Sequence, residues 1–199
     1  GVFVVLGIVE RAPLAAVSDI SEIINDIGYK PAKSAHPFGG PGAHNGGRIR
    51  FNPGDGFLYV LTGDNHSGAG PQHPTQIIGK VLRVDRDGKA APGNNPPAGF
   101  DKRIFAYGFR NPQGIAFRPG TNEPFLSENG PWHTDEVTKL VNGGNGGWDP
   151  RDNRNGRGPC PDGYCGYSPN QMGAMPPAER NAFMPMTDLR NHPNAMRPA

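Results

Sequence analysis

The chain has 199 residues, with 20 basic and 18 acidic side chains and a formal net charge of +2. This balance, with no run of Lys or Arg, argues against a nucleic-acid partner, and no apolar run is long enough for a membrane span. The 30 glycines and 23 prolines lie between short apolar runs without a simple period, which is typical of turns in a loop-rich all-β protein.

The apolar runs predict short strands along the chain. Residues 1–9 predict a buried strand, whereas the isoleucines of residues 17–27 suit a helix or a strand, and both stay open. Residues 47–51 and 57–62 predict a hairpin joined across the sequence NPGDG. Further strands are expected at residues 77–84, 104–107, 114–117, 124–127 and 136–141. Residues 151–199 are expected to be mostly irregular, and no boundary within residues 1–199 separates two cores.

Two stretches of the chain resemble each other. Phe51-Asn52-Pro53-Gly54 matches Phe117-Arg118-Pro119-Gly120, and an aromatic residue, Tyr59 or Phe125, follows each phenylalanine at the same distance. Such self-similarity predicts a repeated supersecondary unit. The copies lie further apart than one propeller blade requires, so we expect inserted loops between them.

The two cysteines, Cys160 and Cys165, flank a turn-rich segment. This spacing favours a local disulfide, and with it a secreted, periplasmic or extracellular protein. The alternative is a pair of reduced surface thiols. The sequence begins at Gly1 without a signal peptide or initiator methionine, so we expect a mature or partial chain.

His44 and Asp64 are a candidate acid–base pair. His44 precedes the first hairpin strand and Asp64 follows the second, so the hairpin can bring them side by side. A histidine whose tautomer is fixed by a carboxylate is a suitable general base. The alternative, and the commoner meaning of a His-Asp pair, is a loop histidine beside a solvated aspartate.

A polar loop, Arg110-Asn111-Pro112-Gln113-Gly114, is a candidate binding site for a planar anionic ligand. Arg110 offers a planar set of five donors, and Asn111 and Gln113 add amide groups. The alternative is a turn that satisfies its own backbone.

The segment Asn129-Gly130-Pro131, followed by Asp135 and Glu136, has the oxygen-rich character that Ca²⁺ favours. The alternative is an acidic turn. The sequence contains no HExxH, GxxxxGK[ST], GxSxG or GxGxxG motif, which argues against the enzyme classes that carry them.

Taken together, these stretches resemble the soluble quinoprotein sugar dehydrogenases of the glucose/sorbosone dehydrogenase family. The resemblance covers residues 43–150 in the family's order, and it implies an all-β fold that is part of a six-bladed β-propeller. The matching motifs are His44-Asn45-Gly46-Gly47-Arg48, Leu58-Tyr59 with Gly63-Asp64, Gly79-Lys80-Val81-Leu82-Arg83 with Asp87-Gly88, Asn95-Pro96, Gly108-Phe109-Arg110-Asn111-Pro112-Gln113-Gly114, Glu128-Asn129-Gly130-Pro131, Asp135-Glu136, and Gly143-Gly144-Asn145 with Gly147-Trp148.

The resemblance also implies roles. His44 would take the proton of a sugar hydroxyl as hydride passes to pyrroloquinoline quinone, with Asp64 orienting it and Arg110 stabilising negative charge on the quinone. The electrons would go on to an external acceptor. The remaining roles fall to cofactor-binding residues (Asn111, Gln113 and Asn129), to carbonyls for the Ca²⁺ at the quinone (Gly130 and Pro131) and to carboxylates for a second Ca²⁺ (Asp135 and Glu136).

The sequence departs from the family's pattern in places. Ala43 stands where an acid is common, Asn129 stands where a glutamine is common, and the family's quinone-gripping Lys and Arg residues belong to later blades than this chain contains. Two alternatives therefore stay open. One is a non-catalytic extracellular Ca²⁺-binding propeller that binds a protein or glycan, as in Hedgehog-interacting-type proteins. The other is a Ca²⁺-dependent lactonase-like hydrolase.

Overall fold

The computed structural model describes residues 2–9, 17–28, 43–130, 135–150 and 181–185. Secondary structure in these ranges is almost all strand, with one short 3₁₀ turn at Gly70–Gln72 and no α-helix. No helical segment there has the length and apolar character needed to cross a bilayer. The strands are β1 (Val2–Val9), β2 (Val17–Ile27), β3 (Gly46–Phe51), β4 (Leu58–Thr62), β5 (Lys80–Val84), β6 (Ile104–Tyr107), β7 (Pro112–Phe117), β8 (Pro124–Glu128), β9 (Glu136–Lys139) and β10 (Asn181–Pro185).

The strands form three antiparallel sheets. The first pairs β1 with β2, the second has the order β3-β4-β5-β6, and the third has the order β7-β8-β9-β10. The leading strands of the two larger sheets, β3 and β7, contact each other. Repeated four-stranded meanders with adjacent leading strands are consistent with two neighbouring blades of a β-propeller. The all-β prediction is confirmed.

The second sheet packs against a neighbour on each face. Successive side chains of its central strand β4 point to opposite faces of the sheet, so that Leu58 and Val60 join one apolar cluster and Tyr59 and Leu61 join the other. The first cluster includes Ile24 and Ile27 of β2, Ile77, Leu82, Val84 and Ile104. The second includes Val81, Phe105, Ala106, Phe109, Ile115, Leu126 and Leu140. Burial of each such side chain contributes about 1.5–3 kcal/mol, so these clusters fix how the sheets stack.

The predicted repeat is confirmed at the turns of the two leading hairpins. Asn52 donates its backbone N–H to the carbonyl of Phe57, and its own carbonyl accepts from Gly56. Arg118 repeats both hydrogen bonds at the same offsets, with Glu123 and Asn122. The Nδ2 of Asn52 also donates to the carbonyl of Asn122 at 3.2 Å, so the two turns lie side by side.

Three features of the secondary structure either differ from the sequence-based prediction or were left open by it. The isoleucine-rich segment, residues 17–27, is a strand, because it pairs with β1 and buries Ile24 and Ile27 against the second sheet. The strand predicted for residues 77–84 begins only at Lys80, because Gly79 has a positive φ of 65°. β10 is an unexpected strand in the segment predicted to be mostly irregular, and it pairs with β9. Cys160 and Cys165 lie outside the described residues.

Candidate functional site

The hairpin of β3 and β4 places His44 against the segment that follows β4. Gly63 donates its N–H to the carbonyl of Asn45 at 3.0 Å, and Asn65 donates to the carbonyl of His44 at 3.2 Å. A Cβ on Gly63 would lie 1.8 Å from the carbonyl oxygen of His44. Only glycine at this position therefore allows the two segments to approach so closely.

Asp64 is the centre of the site. Its carboxylate is fully buried, and three donors surround it: Nδ1 of His44 at 2.8 Å, the backbone N–H of His66 at 2.9 Å and Nε1 of Trp148 at 2.7 Å. A buried carboxylate that accepts several hydrogen bonds is stable in its ionised form. Asp64 therefore holds the proton of neutral His44 on Nδ1 and leaves Nε2 as the acceptor.

His66 is a member of the site that the sequence reasoning did not identify. Its Nε2 lies 3.1 Å from Nε2 of His44, with ring centroids 4.0 Å apart and ring planes at 89°. His44, Asn65 and His66 have positive φ values of 56°, 50° and 55°. Each such conformation costs on the order of 1–3 kcal/mol in a residue other than glycine, and clusters of them are typical of functional sites.

Arg110 adjoins this cluster from the loop between β6 and β7. Its backbone carbonyl accepts the N–H of Asp64 at 2.7 Å, and its guanidinium carbon lies 5.8 Å from the centroid of the Trp148 ring. Nη1 donates to the carbonyls of Asn129 at 3.0 Å and Gly130 at 3.1 Å. The Nε atom is buried and has no hydrogen-bond partner among the described residues. A buried cationic donor of this kind is suited to an anionic ligand.

The amide residues predicted to bind a cofactor form one connected patch at the ends of β7 and β8. Gln113 donates from Nε2 to Oδ1 of Asn111 at 2.8 Å, and the N–H of Asn129 donates to the carbonyl of Asn111 at 3.0 Å. Arg48 of β3 donates to the carbonyl of Gln113 at 3.3 Å, which connects the patch to the hairpin that carries His44. Cofactor binding by these amides stays a prediction.

The predicted calcium ligands are only partly described. The carbonyl of Gly130 accepts from Arg110, and Oδ1 of Asp135 accepts the N–H of Gly130 at 2.9 Å. Within the described ranges, no group of three or more His, Cys, Asp or Glu residues could hold a metal ion. Pro131 and the side chain of Glu136 lie outside the described residues, although Glu136 begins β9. The calcium roles of these residues stay predictions.

Trp148 is positioned by a network that the motif alone did not suggest. Its N–H donates to the carbonyl of Gly108 at 3.0 Å, and its carbonyl accepts from Nε2 of Gln72 at 2.9 Å. Gln72 also exchanges two 3.0 Å hydrogen bonds with the amide of Asn145. This clamp holds the indole where it meets both Asp64 and Arg110.

A buried lysine holds the other end of the Gln72 segment. Nζ of Lys80 donates to the carbonyls of Gly70, Pro71 and Ile78 at 2.7, 2.9 and 3.0 Å. Burial lowers the pKa of Lys80 to about 7. The three carbonyl acceptors act in the opposite direction, because they satisfy all three N–H groups of the ammonium form.

The site therefore joins His44, Asp64 and Arg110 through backbone and indole contacts, and it adds His66 and Trp148. An imidazole with a fixed tautomer can accept a proton, and an adjacent guanidinium can hold negative charge. The tautomer follows from the hydrogen bonds of the network.

Comparison with known proteins assigns the family. The family model described as "Glucose / Sorbosone dehydrogenase" matches residues 29–159, more than half of the chain. Aldose sugar dehydrogenase YliI of Escherichia coli is 37% identical over 110 residues, covering 54% of this chain and 29% of the relative. Quinoprotein glucose dehydrogenase B of Acinetobacter calcoaceticus is 36% identical over 124 residues, covering 53% of this chain and 26% of the relative.

A solved structure gives the same result. The PQQ-bound form of aldose sugar dehydrogenase from Streptomyces coelicolor superposes with a TM-score of 0.60 and 28% identity, covering 81% of this chain and 43% of that one. The chain thus spans less than a third of the two curated relatives and less than half of the solved structure. Because the family model matches more than half of the chain, including strands β3 to β9 and every residue of this site, the chain belongs to the glucose/sorbosone dehydrogenase family.

Proposed function

We propose that the chain is part of an oxidoreductase that oxidises a sugar with pyrroloquinoline quinone and passes the electrons to an external acceptor. The observation that carries this proposal is the imidazole of His44, held by buried Asp64, which is connected to the guanidinium of Arg110 through the indole of Trp148. The network pairs a proton acceptor with a half-buried cation, which is what removal of a hydroxyl proton beside an anionic oxidant requires.

His44 is the proposed general base. Asp64 fixes its tautomer and stabilises the positive charge that the ring gains when it accepts the substrate hydroxyl proton. Trp148 donates to the second oxygen of Asp64 and so keeps the carboxylate aligned with Nδ1 of His44. Each of these residues acts on the position or charge of the imidazole.

The residues present suit the quinone. The buried Nε of Arg110 lacks a partner among the described residues, and an anionic ligand would supply one. The amides of Asn111, Gln113 and Asn129 lie at the same strand ends and can hold polar ring substituents. When bound, pyrroloquinoline quinone supplies a carbonyl carbon that accepts hydride. The similarity to a PQQ-bound aldose sugar dehydrogenase supports this choice of cofactor.

Calcium is a further part of the proposal. The carbonyls of Gly130 and Pro131 would face the ion at the quinone, and Asp135 and Glu136 would serve a second ion. The carbonyl of Gly130 accepts one hydrogen bond from Arg110, and because a carbonyl oxygen has two lone pairs it could also serve an ion. Chelation should abolish activity and added Ca²⁺ should restore it, whereas activity unaffected by chelation would remove calcium from the proposal.

The test of function uses the full-length protein, supplied with pyrroloquinoline quinone and Ca²⁺, and follows dye reduction with a panel of sugars. We expect turnover that His44→Ala abolishes while quinone absorbance survives desalting. His73→Ala is the matched control, because within the described residues the half-buried ring of His73 hydrogen-bonds to the backbone N–H and the hydroxyl of Thr75 rather than to a residue of the site.

The outcomes separate the alternatives. No turnover and no retained quinone would favour the non-catalytic propeller, and hydrolysis of a lactone without quinone would favour the hydrolase. Turnover unchanged in His44→Ala would show that His44 is not the base.

We also propose a location outside the cytoplasm, on the basis of the disulfide expected between Cys160 and Cys165. Thiol labelling of the native protein should find neither cysteine reactive until a reductant is added. Two reactive thiols in protein isolated from its native host would contradict this location.

A further inference from the structure

Two amide side chains, Gln72 and Asn145, pair with each other across distant parts of the chain. Nε2 of Gln72 donates to Oδ1 of Asn145, and Nδ2 of Asn145 donates back to Oε1 of Gln72, both at 3.0 Å. Nε2 of Gln72 also donates to the carbonyl of Trp148 at 2.9 Å. Oδ1 of Asn145 also accepts the N–H of Gly147 at 2.8 Å. Because a backbone carbonyl can only accept and a backbone N–H can only donate, these contacts fix the orientation of both amides.

The amide pair holds the backbone of Trp148 on one side, and Gly108 holds it on the other. The N–H of Trp148 donates to the carbonyl of Gly108 at 3.0 Å, while its carbonyl accepts from Gln72. A Cβ at Gly108 would lie 2.0 Å from Oδ1 of Asn145 and 2.7 Å from Nε2 of Gln72. Only a residue without a side chain at position 108 therefore leaves room for the pair.

The segment that carries Gln72 has its own anchor in a buried ammonium group. Nζ of fully buried Lys80 donates to the carbonyls of Gly70 and Pro71 at 2.7 and 2.9 Å. These two residues directly precede Gln72, and the carbonyl of Pro71 also accepts the N–H of Gly108 at 3.1 Å. Gln72 therefore extends from a fixed backbone, so that its side chain can impose a position on its partners rather than follow them.

The indole of Trp148 passes this position on to the proposed base. Trp148 is 1% exposed, so its ring is packed on all sides and cannot turn without displacing its neighbours. Its Nε1 donates to Oδ2 of Asp64 at 2.7 Å, and Oδ1 of the same carboxylate faces Nδ1 of His44 at 2.8 Å. A shift of the Trp148 backbone therefore moves the indole, and with it the carboxylate that orients the imidazole.

Building on the proposed function, we propose that Gln72 and Asn145 are positioning residues for the base, acting through the indole of Trp148. The paired amides fix the indole, and the indole aligns the carboxylate of Asp64 with Nδ1 of His44. A displaced base slows removal of the hydroxyl proton in the transition state without weakening ground-state binding. The loss caused by breaking the pair should therefore fall on kcat rather than on KM.

The first test is the ¹H–¹⁵N spectrum of the full-length protein, without cofactor or substrate, in which Trp148→Phe identifies the indole signal of Trp148. We expect that signal to lie downfield in the wild type, because the N–H donates to a carboxylate. Gln72→Met, which keeps the length of the side chain but removes its amide, should move the signal. Gln76→Met is the matched control, since Gln76 is an exposed glutamine of the same loop, and it should leave the signal in place. An indole signal that is unchanged in Gln72→Met would overturn the proposal.

The second test is a double-mutant cycle on kcat for dye reduction. Gln72→Met should lower kcat by about 10- to 100-fold, with the KM of the sugar and retention of the quinone as in the wild type. In the Trp148→Phe protein, where the indole is absent, adding Gln72→Met should change kcat by no more than about twofold. Losses that multiply would show that Gln72 supports the fold in general and would overturn the proposal.

Asn145→Asp keeps the proposal testable if Gln72→Met does not fold. It retains Oδ1 for Gln72 and Gly147 and removes only the donor at Nδ2, so we expect the indole signal to move and kcat to fall as they do in Gln72→Met. An indole signal and a kcat equal to those of the wild type would contradict the proposal.

The outcomes separate this inference from the proposed function. Dye reduction that Gln72→Met leaves unchanged would reject only this inference. An indole signal that responds to Gln72→Met in a protein without dye reduction would reject only the proposed function, because the link from the amide pair to Asp64 would stand.

Discussion

The backbone N–H of Asp64, just after β4, donates a 2.7 Å hydrogen bond to the backbone carbonyl of Arg110, just before β7. This bond crosses from one four-stranded sheet to the next. It means that the residue that orients the proposed base and the residue that holds the proposed quinone cannot move independently. Indole contacts from Trp148 to both residues strengthen the same link.

Asp64→Asn tests the orienting role of the carboxylate. If the amide oxygen serves His44, the amide N–H₂ faces the Nε1–H of Trp148, and if the amide is turned, it faces the N–H of His44 instead. Either way two donors oppose each other, so we expect kcat for dye reduction to fall by about 10³–10⁴-fold with quinone still retained.

Asp55→Asn is the matched control, because its carboxylate pairs with Arg83 away from the site. It should leave kcat within about twofold of the wild type, as expected for a surface change remote from the reacting groups. A similar loss in both variants would mean that the effect of Asp64→Asn is not specific to the site.

Arg110→Lys tests the guanidinium as the quinone-binding group. Lysine cannot bridge the carbonyls of Asn129 and Gly130 and also present a donor at the position of Nε. Loss of one charge-assisted hydrogen bond predicts quinone affinity weaker by about tenfold or more, measured by absorbance titration. Arg118→Lys, at an exposed pair with Glu123, should bind as the wild type does. Equal affinity in Arg110→Lys would remove Arg110 from the cofactor site.

Gly63→Ala tests the close approach of the His44 segment. The added Cβ meets the carbonyl oxygen of His44 at 1.8 Å, so the backbone must shift, at a cost of about 2–3 kcal/mol in the free energy of unfolding. Gly93→Ala is the control, since its φ is positive at 82° but no atom lies within 4 Å of the added Cβ. It should cost only about 1 kcal/mol. Urea unfolding that shows equal costs would mean that the contact at Gly63 is not restrictive.

The lowered pKa of Lys80 predicts that the free energy of unfolding depends on pH. Its folded pKa of about 7 lies below the unfolded value of 10.5, so the unfolded chain binds more protons between these limits. The free energy of unfolding should therefore rise with pH from about 7 to about 10 and level off outside that window. Lys80→Met should remove this rise and cost about 2–4 kcal/mol, because three buried carbonyls lose their donor.

Calorimetric unfolding at several pH values measures both effects. If Lys80→Met does not fold, proton uptake on unfolding of the wild type at pH 8–9 reports the same difference in proton binding between the folded and unfolded chains. A wild-type stability that is flat or falling across this range would mean that Lys80 stays charged in the folded protein, held by its carbonyl acceptors.

Much of the fold and part of the site could be predicted from the chain alone. The Asn-Pro-Gly-Asp-Gly and Arg-Pro-Gly turns marked the two leading hairpins, because turn residues act through their own backbone preferences and need no distant partner. The same locality explains why His44 and Asp64 were paired correctly: one short hairpin returns its second end to its first.

The rest depended on contacts between distant parts of the chain. Whether residues 17–27 formed a helix or a strand was decided by pairing with β1 and by burial of Ile24 and Ile27, since β-branched residues allow both. Trp148 reaches Asp64 only because Gln72 and Asn145 clamp its loop, and no spacing in the sequence encodes that distance. His66 lies two positions after Asp64. Its approach to His44 depends on positive φ values that could not be predicted from the sequence.

The sequence by itself determined the turns and the apolar side chains that β4 places alternately on its two faces. It also determined the residue types of a base and a charged ligand-binding group. These features follow from local backbone preference and side-chain chemistry. The tertiary structure alone decided which polar groups meet. That choice depends on hydrogen bonds across two sheets, where burial of Asp64 requires its donors to converge from His44, His66 and Trp148.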